Sequence, residues 1–263
     1  MEDTMDRKIG AQFYTLRDHI QTSEDFEATC KRISEMGYKT VQISGTPLGA
    51  KEMREVLDKY GLVALTSHRS PIDFIERIDE VIEYNKTLGC TLCGMGEMPV
   101  DARYTEEGLD KFINDMKGIC EKLKAHGMKF GYHNHAFEFK KRDGKYVIDR
   151  LIEETDPEIF NFIVDVYWLQ YGGVNPQEFI EKLGKRAVAI HFKDYGVDYV
   201  DKKTVVSMKE IGYGNLDWDK IIESCDKAGS LWAFVEHDYG WTDEDPFLSL
   251  EMSYKFLKTK GFN

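Results

Sequence analysis

The 263-residue chain reads as an α/β protein, a single (β/α)8 barrel, on three observations. Eight short apolar runs alternate with eight amphipathic segments, the units average about 33 residues, and polar residues gather where each run ends. The strand candidates are 8–13, 39–44, 62–67, 91–95, 128–133, 160–166, 187–192 and 231–236. They are short and apolar, as strands of a parallel sheet covered on both faces must be. The helix candidates between them are 23–36, 49–60, 72–88, 105–126, 146–154, 176–183, 217–228 and 246–260. Ser23 ahead of Glu24 and Asp25 gives the first helix an acidic opening turn. Gly37, Gly61, Gly89 and Gly127 follow helical patterns where a left-handed residue ends a helix, and Pro157 and Pro176 sit at turn or helix-start positions. An open doubly wound sheet is the competing architecture, but no Gly-x-Gly-x-x-Gly follows the first strand. With no linker, low-complexity segment or repeat beyond the unit itself, one domain over 1–263 is expected. The longest irregular stretch, roughly 194–216, is expected to be a functional loop over the active face.

Lys plus Arg number 35 against 47 Asp plus Glu, a net charge of −12, which opposes nucleic-acid or anionic-membrane binding. Five cysteines (30, 90, 93, 120 and 225) are an odd number in a sizeable chain and fit a reducing cytoplasm better than a disulfide framework. Cys90 and Cys93 have the spacing of a redox or zinc pair, but they enter a strand and lack a second pair, so they read as buried structural thiols. No N-terminal apolar segment and no run of about 18 apolar residues is present, so neither export nor membrane insertion is expected.

In such a barrel the chemistry sits at the carboxyl ends of the strands. Those ends supply Gln12 and Tyr14, Gln42, Ser67-His68-Arg69, Glu97, and His133, Asn134 and His135 running on to Glu138. They continue with Asp165 and Trp168, His191, Lys193 and Asp194, and Glu236, His237 and Asp238. Polar strand ends are ordinary at any one position, because loops are wet. Three acids and an imidazole, Glu138, Asp165, His191 and Glu236, one after each of the last four strands, read instead as ligands for one divalent cation. Hard oxygens with one nitrogen suit Mn²⁺, Zn²⁺, Co²⁺ or Fe²⁺, and Mg²⁺ less naturally. Three negative charges would leave the site repulsive without the ion.

The chain here resembles the xylose-isomerase-like TIM-barrel family of sugar isomerases, epimerases (sugar phosphate isomerase/epimerase-like proteins among them) and carbonyl-directed lyases. The carriers are Tyr14-Thr-Leu-Arg17, Tyr132-His-Asn-His135 with Phe137-Glu-Phe139, and Asp165-Val-Tyr-Trp168, then His191-Phe-Lys-Asp194, Gly212-Tyr-Gly-Asn-Leu-Asp-Trp218 and Val235-Glu-His-Asp238. The resemblance implies a metal held by Glu, Asp, His and Glu from strands five to eight, the two Glu residues also handling protons. The last three map to Asp165, His191 and Glu236. The first is Glu138 folding back, or His133, which occupies the place where many relatives carry the Glu. Trp168 stands where ketose 3-epimerases carry a His, which leaves room for a bulkier or glycosidic substrate.

The resemblance further implies a sugar isomerase or epimerase working by proton transfer next to a carbonyl, through an enediolate, on a small-molecule carbohydrate. A 3-keto-glycoside lyase or inosose-type dehydratase would use the same proton abstraction. An endonuclease acting at abasic DNA sites would need a basic groove, which the net charge opposes. A sugar-binding barrel without catalysis would carry no metal. Glu138 and Glu236 are the expected proton carriers, His133 and His135 the next, and Lys193 the group that stabilises a developing oxyanion. His68, His135, Trp168 and Tyr14 are expected to touch the substrate. Gly212-Tyr-Gly214 reads as a tight turn capped by Asn215 or Asp217 rather than a phosphate cup. A homo-oligomer stays open.

Overall fold

The computed structural model describes residues 8–230 and 232–263. Eight parallel strands close into a barrel, in the order the chain lays them down. They are β1 (Ile9–Gln12), β2 (Thr40–Ile43), β3 (Val63–Arg69), β4 (Leu92–Met95), β5 (Lys129–His133), β6 (Phe160–Asp165), β7 (Ala187–Phe192) and β8 (Trp232–Val235). Closure is the pairing of β1 with β8, Ile9 opposite Ala233 and Ala11 opposite Val235. Each strand falls on its expected run, except that Leu231, the first residue expected of the last one, lies outside the described residues.

The helices follow their capping chemistry. Thr22 accepts from Asp25 N to open Ser23–Met36, and Gly37, at φ 109°, closes it in a conformation that suits glycine. The helix expected over 72–88 is two, Pro71–Glu76 and Ile78–Leu88, because Arg77 leaves helical geometry at φ −136°. The stretch expected to be irregular over 194–216 is largely regular. Asp194–Val200 and Lys203–Lys209 form an antiparallel hairpin. Its two-residue loop, Asp201-Lys202, has both φ angles positive (47° and 62°), as a hairpin turn matched to strand twist requires. The period-two pattern Tyr195, Val197, Tyr199 is the signal that the missing Asn-Gly turn masked.

Period two also places the site. Side chains two residues apart on a strand share a face. Leu92, Ile163, Ala189 and Phe234 form a dry cluster within the barrel. Gly10 and Gly131 lack side chains where a Cβ would lie 2.6 Å from the Phe234 ring and 2.8 Å from Ile163. Two residues further along the same strands come Gln12, Gly94, His133, Asp165, His191 and Glu236. The polar floor of the mouth therefore stands directly on an apolar plug. Phe234→Ala is expected to destabilise the protein by about 3–5 kcal/mol. Urea unfolding measures it, and a loss below about 1 kcal/mol would show that Phe234 does not fill the barrel.

Candidate active site

His133, Asp165, His191 and Glu236 each direct a ligand atom into one buried cluster, all within 4.8 Å of one another. Local structure aims each one. Asp165 ends β6 and caps the short helix Val166–Tyr171, its Oδ1 accepting from Trp168 N at 3.0 Å. Asn134 holds the same residue by its backbone, accepting from Asp165 N at 3.0 Å. Asp165 Oδ2 is thereby left for the cluster. His133 Nδ1 lies 2.9 Å from the Gly96 carbonyl, so its proton is drawn there and Nε2 faces Asp165 Oδ2 at 3.5 Å. His191 Nε2 lies 2.9 Å from Gln42 Oε1, an acceptor for a proton on that nitrogen. His191 Nδ1 then faces Glu236 Oε2 at 2.8 Å and Asp165 Oδ2 at 3.9 Å. Imidazole lone pairs directed at carboxylates are repulsive unless positive charge lies between them. His133 Nε2 has no hydrogen-bond partner, and Asp165 Oδ2 has none apart from the ion-pair contact with Lys193 Nζ at 3.2 Å. This donor set fits a divalent cation.

Glu138, expected among the ligands, lies outside this cluster, and His133 lies within it. Glu138 is fully buried in the turn Phe137–Phe139, and both its oxygens are taken. Tyr132 donates its hydroxyl to Oε1 at 2.7 Å and His135 its backbone N–H to Oε2 at 2.9 Å. Glu138 does not line the cavity, and His133, the last residue of β5, joins the cluster instead. The cluster therefore brings two negative charges, not three. Inward parity on β5 was the signal for His133, because Glu138 lies beyond the strand.

Lys193 is buried beside the cluster, its Nζ 3.2 Å from Asp165, 3.0 Å from Glu236 and 2.9 Å from Asp238. Burial works against its charge, but Asp165, Asp238 and Glu236 outweigh burial and hold its pKa well above the ordinary lysine value. Burial works against the Glu236 charge, but Lys193, and His191 where its Nδ1 carries a proton, outweigh it and hold the carboxyl well below the usual carboxylate range. Asp238 goes the other way, pushed up to about 6 by burial. Its Oδ2 accepts from Lys193 and its Oδ1 has no partner. Burial, reinforced by the neighbouring His133, drives His68 well below the ordinary histidine value and His135 down to about 3, so both rings are neutral.

These groups open onto a cavity of about 630 Å³ at the carboxyl ends of the strands. Tyr14, His68, His135, Trp168 and Lys193 line it, as do Glu236, Asp238 and Tyr239. His68 stacks 5.3 Å from His191, and a Cβ at Gly94 would collide with the His68 ring. Arg17 clasps the mouth, covering the Tyr14 ring and donating to the Asp238 carbonyl at 2.9 Å. Gln42 and Asp238 were visible in the sequence only as polar strand ends. The backbone N–H groups of Gly212 and Gly214 point at the buried Asp194 carboxylate, which fills the turn that could have cupped a phosphate, and Asp217 caps the helix after it. No disulfide joins any of the five cysteines, and Cys90 and Cys93 are buried. Among the described residues no helix is long and apolar enough to cross a membrane.

The xylose isomerase-like TIM barrel family matches residues 30–259. The chain belongs to that family. Among relatives of this xylose isomerase-like barrel, an inosose dehydratase of Geobacillus thermodenitrificans is 25% identical over 214 residues, covering 76% of this chain and 68% of that protein. One from Bacillus cereus is 23% identical, covering 82% and 74%. A solved sugar phosphate isomerase/epimerase from Parabacteroides distasonis superposes with a TM-score of 0.76 at 23% identity, over 96% of this chain and 98% of that one. A xylose isomerase-like TIM barrel protein from Mycobacterium smegmatis, solved with magnesium, gives 0.73 at 14% identity, over 98% of each. These structural likenesses establish the fold.

Two predictions follow from the geometry of this barrel. Gln42→Leu frees the His191 proton and is expected to weaken Mn²⁺ or Zn²⁺ binding by about 10–100-fold, read by calorimetric titration, and unchanged affinity would remove Gln42 from the site. The second concerns Glu138, whose carboxyl burial pushes up to about 7 from an unfolded value of about 4.3. Its native state therefore binds the extra proton, and the stability this confers is complete below the unfolded value and lost as pH rises through the folded one. Glu138→Gln keeps the shape without the titration, so its melting temperature should gain on the wild type across that window. Parallel melting curves would contradict it.

Proposed function

We propose that this barrel is a divalent-metal-dependent sugar-modifying enzyme, an isomerase or epimerase that moves a proton on a carbon next to a carbonyl. One observation carries the reading: His133, Asp165, His191 and Glu236 converge, with Lys193 beside them, at the floor of a cavity of about 630 Å³. Those four residues would hold the ion. Two imidazoles with two carboxylates favour Mn²⁺, Zn²⁺ or Co²⁺, with Mg²⁺ a weaker match. A cation bound there supplies Lewis-acid polarisation of a carbonyl oxygen.

The chain's own groups do the rest. Lys193, kept charged by Asp165, Asp238 and Glu236, sets a positive charge in the cavity wall that favours negative charge building on the carbonyl oxygen. Asp238, with Oδ1 unpartnered in the cavity wall, takes the role of proton acceptor expected of Glu138, whose oxygens are occupied. Glu236 is the second carboxylate at the floor. His135, expected as a reserve base, is too weakly basic for that work and serves, with His68, as a neutral donor and acceptor for sugar hydroxyls. Trp168 gives the ring of a carbohydrate an apolar face, and Tyr14 borders the entrance.

The inosose dehydratase relatives favour a second reading with the same first step. Proton abstraction would then be followed by loss of a β-substituent, as in a dehydratase or a 3-keto-glycoside lyase. Incubating metal-loaded protein with candidate keto-sugars in heavy water separates the two. Deuterium gained without fragmentation supports proton transfer alone, and release of water or an aglycone supports elimination. Neither outcome with any keto-sugar would count against both. Asp238→Asn is expected to slow either reaction by about 10²–10⁴-fold with metal affinity retained, and an unaltered rate would remove Asp238 from the mechanism.

A further inference from the structure

The mouth of the cavity is built in two halves. The clustered His133, Asp165, His191 and Glu236 come from β5 to β8. The opposite wall comes from the ends of β1 to β4 and carries two guanidinium groups, Arg17 and Arg69, with Ser44 and Glu97. Strand register sets these residues in order round the mouth. Gly45, at φ 76°, packs the turn after β2 against Arg17, where an added Cβ would lie 3.1 Å from the arginine's own. Ile43 pairs with Ser67, so Ser44 and Arg69 leave neighbouring strand ends. Arg69 pairs in turn with Met95, which places Glu97 just beyond it.

Neither arginine is fully matched. Arg17 lies 4.8 Å over the Tyr14 ring and donates to the carbonyl oxygens of Tyr14 at 3.0 Å and Asp238 at 2.9 Å. Those acceptors are uncharged, and they leave other N–H groups of the fork unused. Among the described residues no carboxylate neutralises Arg17. Arg69 lies 4.7 Å over the Tyr84 ring, and its Nε is buried without a partner. Its counter-charge, Asp73 at 3.3 Å, is shared with Arg77, so one carboxylate serves two guanidiniums. Glu97 is already answered by Arg103 at 2.7 Å. The floor needs nothing from this wall, since Lys193 and a divalent ion balance Asp165, Glu236 and Asp238. In a chain of net charge −12, the wall from β1 to β4 therefore carries surplus positive charge facing the cavity.

We infer that this wall is a subsite for a carboxylate, so that the substrate is a sugar acid with its carbonyl at the metal cluster and its carboxylate on Arg17 and Arg69. The inference rests on the sugar-enzyme reading above and names its substrate class. A guanidinium fork matches the two oxygens of a carboxylate, and the rings of Tyr14 and Tyr84 hold the two forks flat before a ligand arrives. Two features favour a carboxylate over a phosphate monoester. Glu97 beside the arginines repels a dianion more than a monoanion. The backbone amides of Gly212 and Gly214, which could have cradled a phosphate, are spent on Asp194.

The test compares binding, without turnover, of matched methyl glycosides and methyl glycosiduronates (the gluco, galacto and manno pairs) to the metal-loaded protein by calorimetry. The uronate of at least one pair should bind about 10–100-fold tighter than its neutral partner. Arg17→Gln and Arg69→Gln should each bring that ratio toward one, whereas Arg69→Lys, which keeps the charge, should retain part of it. Added salt should shrink the ratio in the unaltered protein as well. Both side chains are only partly buried, so these changes spare the core. Equal binding within every pair would overturn the subsite. So would a uronate advantage that survives both glutamine substitutions, which would put the carboxylate on the metal, or a 6-phosphate that binds tighter than the uronate. Equal binding with deuterium exchange intact removes the subsite alone, and a uronate preference without any reaction removes the enzymatic reading alone.

Discussion

Two carboxylates and two imidazoles meet, buried, at the floor of the barrel's mouth, and that crowding of ligand groups is the constraint around which the rest is arranged. Left uncompensated, the groups would repel strongly in a medium that screens poorly. The chain answers with a resident cation, Lys193, 3.0–3.2 Å from Asp165 and Glu236, and with a ring of partners that pin each ligand from behind. The Gly96 carbonyl and Gln42 Oε1 face the outer ring nitrogens of His133 and His191 at 2.9 Å each. Trp168 N and Asn134 occupy the other side of Asp165.

The same arrangement explains why the site needs a closed barrel. The ligands come from four strands separated by whole helices in sequence, and only the register of β5 to β8 brings them together. The plug beneath, with Phe234 filling the space left by Gly10, keeps water from entering below. Above, Arg17 ties together the segments that follow the adjacent first and last strands.

Much of this was legible in the sequence. Apolar runs, glycine stops and capping residues located all eight strands, and the charge, size and strand-end position of Asp165, His191 and Glu236 marked them as belonging together. What escaped has physical causes. Glu138 carries the right chemistry, but a carboxylate's destination depends on partners that no local pattern reveals, here Tyr132 and the His135 amide. His133 was findable by counting in twos from Gly131. Gln42 and Asp238 look like any wet strand end until distance shows that one holds a ring proton and the other a lysine. The hairpin was hidden because Asp201-Lys202 adopts a left-handed turn without the glycine that usually announces it.

The central claim is that one divalent ion binds among His133, Asp165, His191 and Glu236, and anomalous diffraction from crystals soaked in Mn²⁺ or Zn²⁺ tests it most directly. The account predicts a single strong peak within about 2.0–2.2 Å of nitrogen and oxygen atoms from those four side chains, with Glu138 still bonded to Tyr132. A peak ligated by Glu138 in place of His133, or no peak in the cluster at saturating metal, would contradict it.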